Sequence, residues 1–409
     1  MSNVKKLQLI SLIGGMTFYT PIFTLFLLQR SFNLGFVVAA QTLFSVGMML
    51  SVVPTGVLAD RLGQKIAIQI GLLMDAMGML MLLITRSPEV LLFFFGTRGI
   101  AIGFRNGSDE ALLYDSYIDE KKSADGYSRA FGKLISNDTL GFVIATAIAG
   151  IAVALLGQGS YTPLIIGTSL ATFTALGIAS TLQDKRHAVP VKAVKFFSQL
   201  KQGGKIVRNN KTIWALAVAG LLTLNGEYFL RQTYQPFFQD MAVPAIFLGV
   251  ALSAGKLLNF LALRNMHRLE KFMTVDQILL GLNLIMGGAF IAFALVGSAL
   301  GLVAMFILIQ TTLNAQQPIV SDYVNQQIDS QQRSTTLSTV SFIQNLGTIL
   351  TRILLGISVG IIGLGHTFIA QGLYLVVGAF IGVWYLRRCG CVHKISHTPD
   401  ELIPVISNT

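Results

Sequence analysis

The chain is predicted to be an all-α integral membrane protein with twelve transmembrane helices, six plus six. Three observations predict this. Of 409 residues, 53% are hydrophobic and only 12% charged, about half the charge of a typical soluble domain. Apolar runs of bilayer length recur twelve times, centred near residues 18, 46, 75, 103, 143, 171, 225, 255, 285, 311, 348 and 376. With no water in a bilayer core to satisfy the backbone, such runs can only be helices. Between the sixth and seventh runs lies the longest polar connection, Gln183–Lys211, with eight Lys/Arg against one acid, Asp184.

That connection sets the domain boundaries. Residues 1–184 form a first six-helix bundle, 185–211 a basic cytoplasmic linker, 212–388 a second six-helix bundle and 389–409 a cytoplasmic tail. The linker is expected to lie in part as an amphipathic helix on the lipid headgroups. With both termini placed in the cytoplasm, the cytoplasmic segments hold 23 of the 30 Lys and Arg, and the outer connections only Arg30 and Arg86. This is the positive-inside asymmetry. It accounts for the net charge of +11 without a nucleic-acid partner. The first run follows Met1–Lys6 directly and has no small-residue cleavage site, so it is expected to be retained as a span. Both cysteines, Cys389 and Cys391, lie in the tail beside His393 and His397, so neither a disulfide nor a metal site is expected. Short outer loops and modest size point to a bacterial inner membrane, with the lipid bilayer as the constant partner and a monomer as the expected state.

The connection between the second and third spans reads Gly56-Val57-Leu58-Ala59-Asp60-Arg61-Leu62-Gly63-Gln64-Lys65. Its Gly-x-x-x-Asp-Arg-x-Gly-x-Lys pattern resembles the loop signature of the major facilitator superfamily of secondary transporters. A second stretch, Arg98-Gly99-Ile100-Ala101-Ile102-Gly103, resembles the superfamily's span-four motif, whose arginine is linked to proton coupling. The resemblance covers nearly the whole chain in topology and is motif-level at residues 54–65 and 98–116. It implies two parallel six-helix pseudo-repeats moving by alternating access. Weak pairings 207 residues apart, such as Arg61 with Arg268 and Asp115 with Asp322, agree with repeated halves. The resemblance further implies a conformational latch: Gly56 and Gly63 shape the turn, Arg61 pairs with Asp115, and Asp60 meets the helix end near Ser334. The matching second loop, Arg264–Lys271, has lost the glycines and the aspartate.

Ten ionisable side chains fall inside the predicted spans: Asp75, Arg98, Arg105, Asp109, Glu110, Asp138, Glu227, Arg231, Lys256 and Arg352. At about 2.5–3.5 kcal/mol each in lipid, they must pair or face water. Arg98, Arg105 and Asp109 are spaced by seven and four, which puts them on one face of a continuous helix. Arg105 and Asp109 could serve transport or form an ordinary helix pair; so could Glu227 and Arg231, also four apart. Asp138 and Arg352 are expected to face each other across a cavity. Asp75 is expected to be tied to a neighbouring helix. The stretches Gly99-x-x-x-Gly103, Gly356-x-x-x-Gly360 and Gly378-x-x-x-Gly382 are expected to pack helices closely within the chain.

The function expected is proton-coupled transport of a small organic solute, with Asp109, Glu110, Glu227 and Asp138 as proton carriers. Arg98, Arg105, Arg231, Arg352 and Lys256 are the candidates for binding the solute. Setting Asp75 aside leaves a slight cationic excess, which favours an anion or zwitterion. The alternatives are a drug/proton antiporter, although span five lacks the Gly-Pro pair of many such proteins, and a transport-silent scaffold or sensor. No phosphate-binding loop, nucleophile elbow or zinc-protease helix occurs, so neither enzymatic activity, ATP nor a cofactor is expected.

Overall fold

A computed structural model describes residues 1–119, 124–184, 204–223, 227–266, 268, 272–313, 315 and 333–389. All regular structure in these residues is helical. The first half holds α1 (Asn3–Gly14), a 3-10 turn (Thr20–Ile22), α2 (Phe23–Gln29), α3 (Leu34–Leu62), α4 (Gln64–Ile84), α5 (Pro88–Arg105), α6 (Ser108–Asp119), α7 (Ala124–Leu156) and α8 (Tyr161–Ser180). The second holds α9 (Lys211–Thr223), α10 (Glu227–Asp240), α11 (Phe247–Asn265), α12 (Val275–Leu295), α13 (Ala299–Thr312) and α14 (Arg333–Arg388).

Local chemistry sets several helix ends. Asn33 caps α3 by accepting from the Phe36 amide at 2.8 Å, and Ser87 caps α5 ahead of Pro88, which needs no amide partner in a first turn. Among the described residues, six helical stretches are long and apolar enough to cross a bilayer. Two of them, Gly126–Ser180 and Phe342–Arg388, each contain a reversal, at Gly157–Ser160 and at Gly363. Large apolar side chains such as Leu155, Ile361 and Phe380 stand exposed on these helices, as lipid-facing residues would.

Two expectations of continuous helix are corrected. The first span is broken between α1 and the 3-10 turn at Gly15–Tyr19. The fourth is broken at Asn106–Gly107, where Gly107 takes φ +86. Arg98 and Arg105 therefore lie on one helix and Asp109 on the next. Asn-Gly is a turn-forming pair, and here it interrupts a span. By contrast, Gly99 and Gly103 pack as expected: a Cβ at Gly99 would strike the α3 backbone at Phe44 and Met48, and one at Gly103 would strike Ser51. The linker residues 185–203, the second-half position Asp322 and the tail beyond Cys389 lie outside the described residues.

Within the first half α3 packs on α5, α4 on α5 and α8, and α1 on α7 and α8. Within the second, α12 and α9 pack on α14, and α11 on α13. Its core is aromatic, with Phe229, Phe237, Phe290, Phe293, Phe306 and Phe368 buried in mutual contact. Among the described residues the halves meet chiefly along three seams: α7 with α11, α3 with α14, and α2 with α10.

Candidate transport site and gates

The seams are closed at the end of the bundle remote from the chain termini. On α7 and α11, Gly150 and Gly249 bring the backbones together, and a Cβ on Gly249 would lie 2.5 Å from the Gly150 nitrogen. Beside them the Thr146 and Ser253 hydroxyls bond at 2.7 Å, and Ser253 also donates to the Val143 carbonyl at 3.0 Å. On α2 and α10, Thr24 donates to the Gln232 carbonyl at 2.7 Å, while Gln235 bridges the Thr24 amide and the Thr20 carbonyl.

The third seam holds Arg352. Its side chain, 2% exposed, leaves α14 and donates from Nη1 to the Gln41 carbonyl at 2.6 Å and to Ser45 Oγ at 2.9 Å, both on α3. Arg352 and Asp138 were expected to face each other. They do not: Arg352 is bound into the α3–α14 seam, and Asp138 lies in electrostatic range of Arg105 and Lys256 instead. Arg352 sits one turn from Gly356, where a Cβ would lie 2.8 Å from Val38 of α3, so this face of α14 is the one turned to α3.

Arg98 is likewise engaged. Its Nε donates to Asp75 Oδ1 at 2.8 Å, with the two side chains 7% and 15% exposed. Tyr19, at the break in the first span, contacts the guanidinium through its hydroxyl and ring. This is the tie from Asp75 to a neighbouring helix that was expected, though its partner is a residue put forward for binding solute. Gly78 on α4 makes room for it, because a Cβ there would meet Arg98 Cδ at 2.6 Å. Asp75→Asn would strand a buried guanidinium. The expected loss is about 3–5 kcal/mol, seen as a marked fall in Tm of the purified protein; an unchanged Tm would mean that the pair contributes nothing.

Arg105 is different. It closes α5, reaches across the Asn106–Gly107 break and pairs with Asp109 of α6 at 3.5 Å. A pair at that distance is loose, and both Arg105 Nε and Asp109 Oδ1 are buried with no hydrogen-bond partner among the described residues. Asp138 on α7 is exposed and within electrostatic range of this pair, and Lys256 on α11, from the second half, is within range of Asp138. The guanidinium of Arg105 also lies against Gly14, at the broken end of α1. Arg105, Asp109 and Asp138 thus form one electrostatic group that Lys256 reaches through Asp138, with Glu110 exposed on the first turn of α6. Arg231 stands partly buried on α10. The side chains of Glu227 and Asn225 lie outside the described residues.

One group of residues escaped the sequence analysis. Gln310 on α13 and Gln371 on α14 are buried with amide atoms lacking hydrogen-bond partners among the described residues. Gln310 packs on Gly255, the neighbour of Lys256. A lone amide inside an apolar run was the available signal. Unpaired buried amides are costly, and they suit positions that exchange partners.

Near the termini, Gly56 and Arg61 are exposed on α3, and Asp115 is half-buried on α6. The side chains of Asp60 and Ser334 lie outside the described residues.

A helical fold in two halves, closed at one end around buried charges, is the architecture of a membrane transporter. A sequence profile described as Major Facilitator Superfamily matches residues 7–350, and the chain belongs to that family. It is 22% identical over 373 residues to the uncharacterized MFS-type transporter YxaM of Bacillus subtilis (strain 168), covering 89% of this chain and 90% of that one. Among solved structures, the nucleoside transporter NupG is similar with a TM-score of 0.78 at 15% identity, over 95% of this chain and 100% of that one. A bacterial homolog to the human lysosomal transporter Spinster, in an inward-facing and unoccupied conformation, gives 0.71 at 16% identity, over 97% and 98%. At such identities the structures establish the fold alone. The protein is a multi-pass membrane transporter and not an enzyme.

Proposed function

We propose that the chain is a twelve-span, proton-coupled secondary transporter of a small organic solute, working as a monomer by alternating access in a bacterial inner membrane, with both termini cytoplasmic. The observation that carries this is the loose Arg105–Asp109 pair at a helix break, within electrostatic range of Asp138, which is itself within range of Lys256. A carboxylate whose counter-ion can be drawn away by solute is suited to take up a proton in exchange. Asp109 and Asp138 carry protons, with Glu110 beside them and Glu227 as a further carrier, and Arg105, Lys256 and Arg231 bind the solute. On this reading the closed end is the outer gate and the cavity opens toward the cytoplasm.

Between an anion and a zwitterion, the zwitterion is better supported. Arg98 is neutralised by Asp75 and Arg352 is committed to a seam, so the cationic excess among the in-span residues is gone. The exposure of Glu110 and Asp138 also favours a second reading, proton-driven efflux of a cationic compound. Uptake into proteoliposomes under an imposed proton gradient separates the two, using amino acids, organic acids, nucleosides and lipophilic cations. Lys256→Gln is expected to reduce uptake of a carboxylate-bearing solute at least tenfold, the effect of losing about 1.4 kcal/mol of binding. Cation efflux would survive that change. Carboxylate uptake at the parent rate would remove Lys256 and zwitterion recognition from the proposal together.

A further inference from the structure

We propose that Asp184 is a positioning residue of the transport cycle, fastening the root of the inter-half linker to the α3–α4 turn at Gly63, which follows Asp60 and Arg61. The inference rests on the latch function of that turn.

Helix α4 begins at Gln64, and its N-cap is Gly63, with φ +95 and no side chain to offer the first amides. The first amides of a helix need acceptors from elsewhere. Asp184 supplies one: its Oδ2 accepts from the Lys65 amide at 3.1 Å, 119 residues away in sequence. A carboxylate at the positive end of a helix is stabilised there. The approach is close enough that a Cβ on Gly63 would lie 2.8 Å from that oxygen. Gly63 is thus required twice, by its backbone conformation and by the carboxylate packed on it.

The residues leading to Asp184 are fastened on their other sides. The Gln183 amide donates to Asn3 Oδ1 at 3.1 Å, and Asn3 Nδ2 donates to the Gln183 carbonyl at 2.6 Å. The same Asn3 nitrogen reaches Ser116 Oγ at 3.1 Å, next to Asp115. Lys6 Nζ donates to the Thr181 carbonyl at 2.6 Å. A cavity of about 450 Å³ lies between the turn and this segment, lined by Leu62, Lys65, Ile66 and Leu182 among others. The ends of α1, α6 and α8 and the start of α4 therefore converge on residues 181–184, and the chain runs from there into the linker toward the second half. Whatever loosens Asp184 therefore loosens the start of α4 and the turn before it.

The test uses the full-length transporter with Cys389 and Cys391 replaced by serine. Spin labels are placed at Leu155 and Leu300, both exposed near the far end of opposite halves. Asp184→Ala is expected to change the ratio of the two distance populations by roughly three- to tenfold, the scale of a lost helix cap, and to change turnover in the same preparation. Asp184→Asn keeps an acceptor oxygen without charge and is expected to fall between parent and Ala. A lower Tm with unchanged distances and turnover would reduce Asp184 to a structural cap and overturn the proposal. Asp60→Asn serves as the control. If it moves the distances and Asp184→Ala does not, the proposal falls and the latch stands; if neither moves them, both fall. Should the Ala variant fail to fold, the Asn variant carries the same outcomes.

Discussion

Gly249→Leu is expected to abolish transport while leaving a folded protein in the membrane. At most buried positions an added side chain costs about 1–3 kcal/mol because neighbouring side chains shift. Here the obstacles are the backbone of α7: the Thr146 carbonyl and the Gly150 nitrogen and Cα, the last two at 2.5 and 2.8 Å from the new Cβ. Backbone atoms in a continuous helix cannot yield singly, so α7 and α11 must separate. The Thr146–Ser253 bond then breaks, and the end that is closed in this structure stays open. The check is the distance between labels at Leu155 and Leu300, which should lengthen to a single population, with uptake at background. Ser253→Ala, which removes hydroxyl bonds worth about 0.5–1.5 kcal/mol each and leaves the glycine contact, should slow transport without arresting it. Parent-level uptake by Gly249→Leu would show that this seam does not gate.

Asp109→Asn is expected to uncouple the transporter from the proton gradient. The amide keeps the volume and hydrogen-bonding capacity of the acid but cannot exchange a proton, and Arg105 loses the counter-charge 3.5 Å away. Accumulation driven by a proton gradient should fall at least tenfold, whereas exchange of labelled for unlabelled solute should persist, because binding and rocking do not need the proton. The contrast with Asp75→Asn is diagnostic. Asp75 is clamped at 2.8 Å by a buried arginine, so its loss should appear in stability, while the loss of Asp109 should appear in coupling. Gradient-driven accumulation by Asp109→Asn equal to that of the parent would move the proton to Asp138 or Glu110.

The membrane character, the two-half plan and the family were legible because they depend on composition and short contiguous motifs. So was the list of charges at stake, since an ionisable residue in an apolar run is conspicuous wherever the helix goes. Their partners were not legible. Arg98 looked as available as Arg105, and only the packing of α4 on α5 across Gly78 brings Asp75 to one and not the other. Arg352 was assigned to a cavity by its position in a repeat, but its rotation on α14 turns it to Gln41 and Ser45. The Asn106–Gly107 break was written in the sequence and was overridden by the assumption that a span is one helix. Asp184 was counted as a lone acid in a basic linker, because its partner Lys65 lies far away along the chain.

Arg352 has one more consequence. Its guanidinium is shut between the halves in this state, and it can be so only while α3 and α14 are together. On the proposed alternating-access cycle, each turnover would include the wetting of one fixed cation as the seam parts and its drying as the seam closes. Ion hydration carries a large negative entropy, so the opening step should have a temperature dependence dominated by water ordering around a single side chain. On the proposed cycle, the balance between the two orientations is weighted by solvation at one residue as well as by contacts between helices.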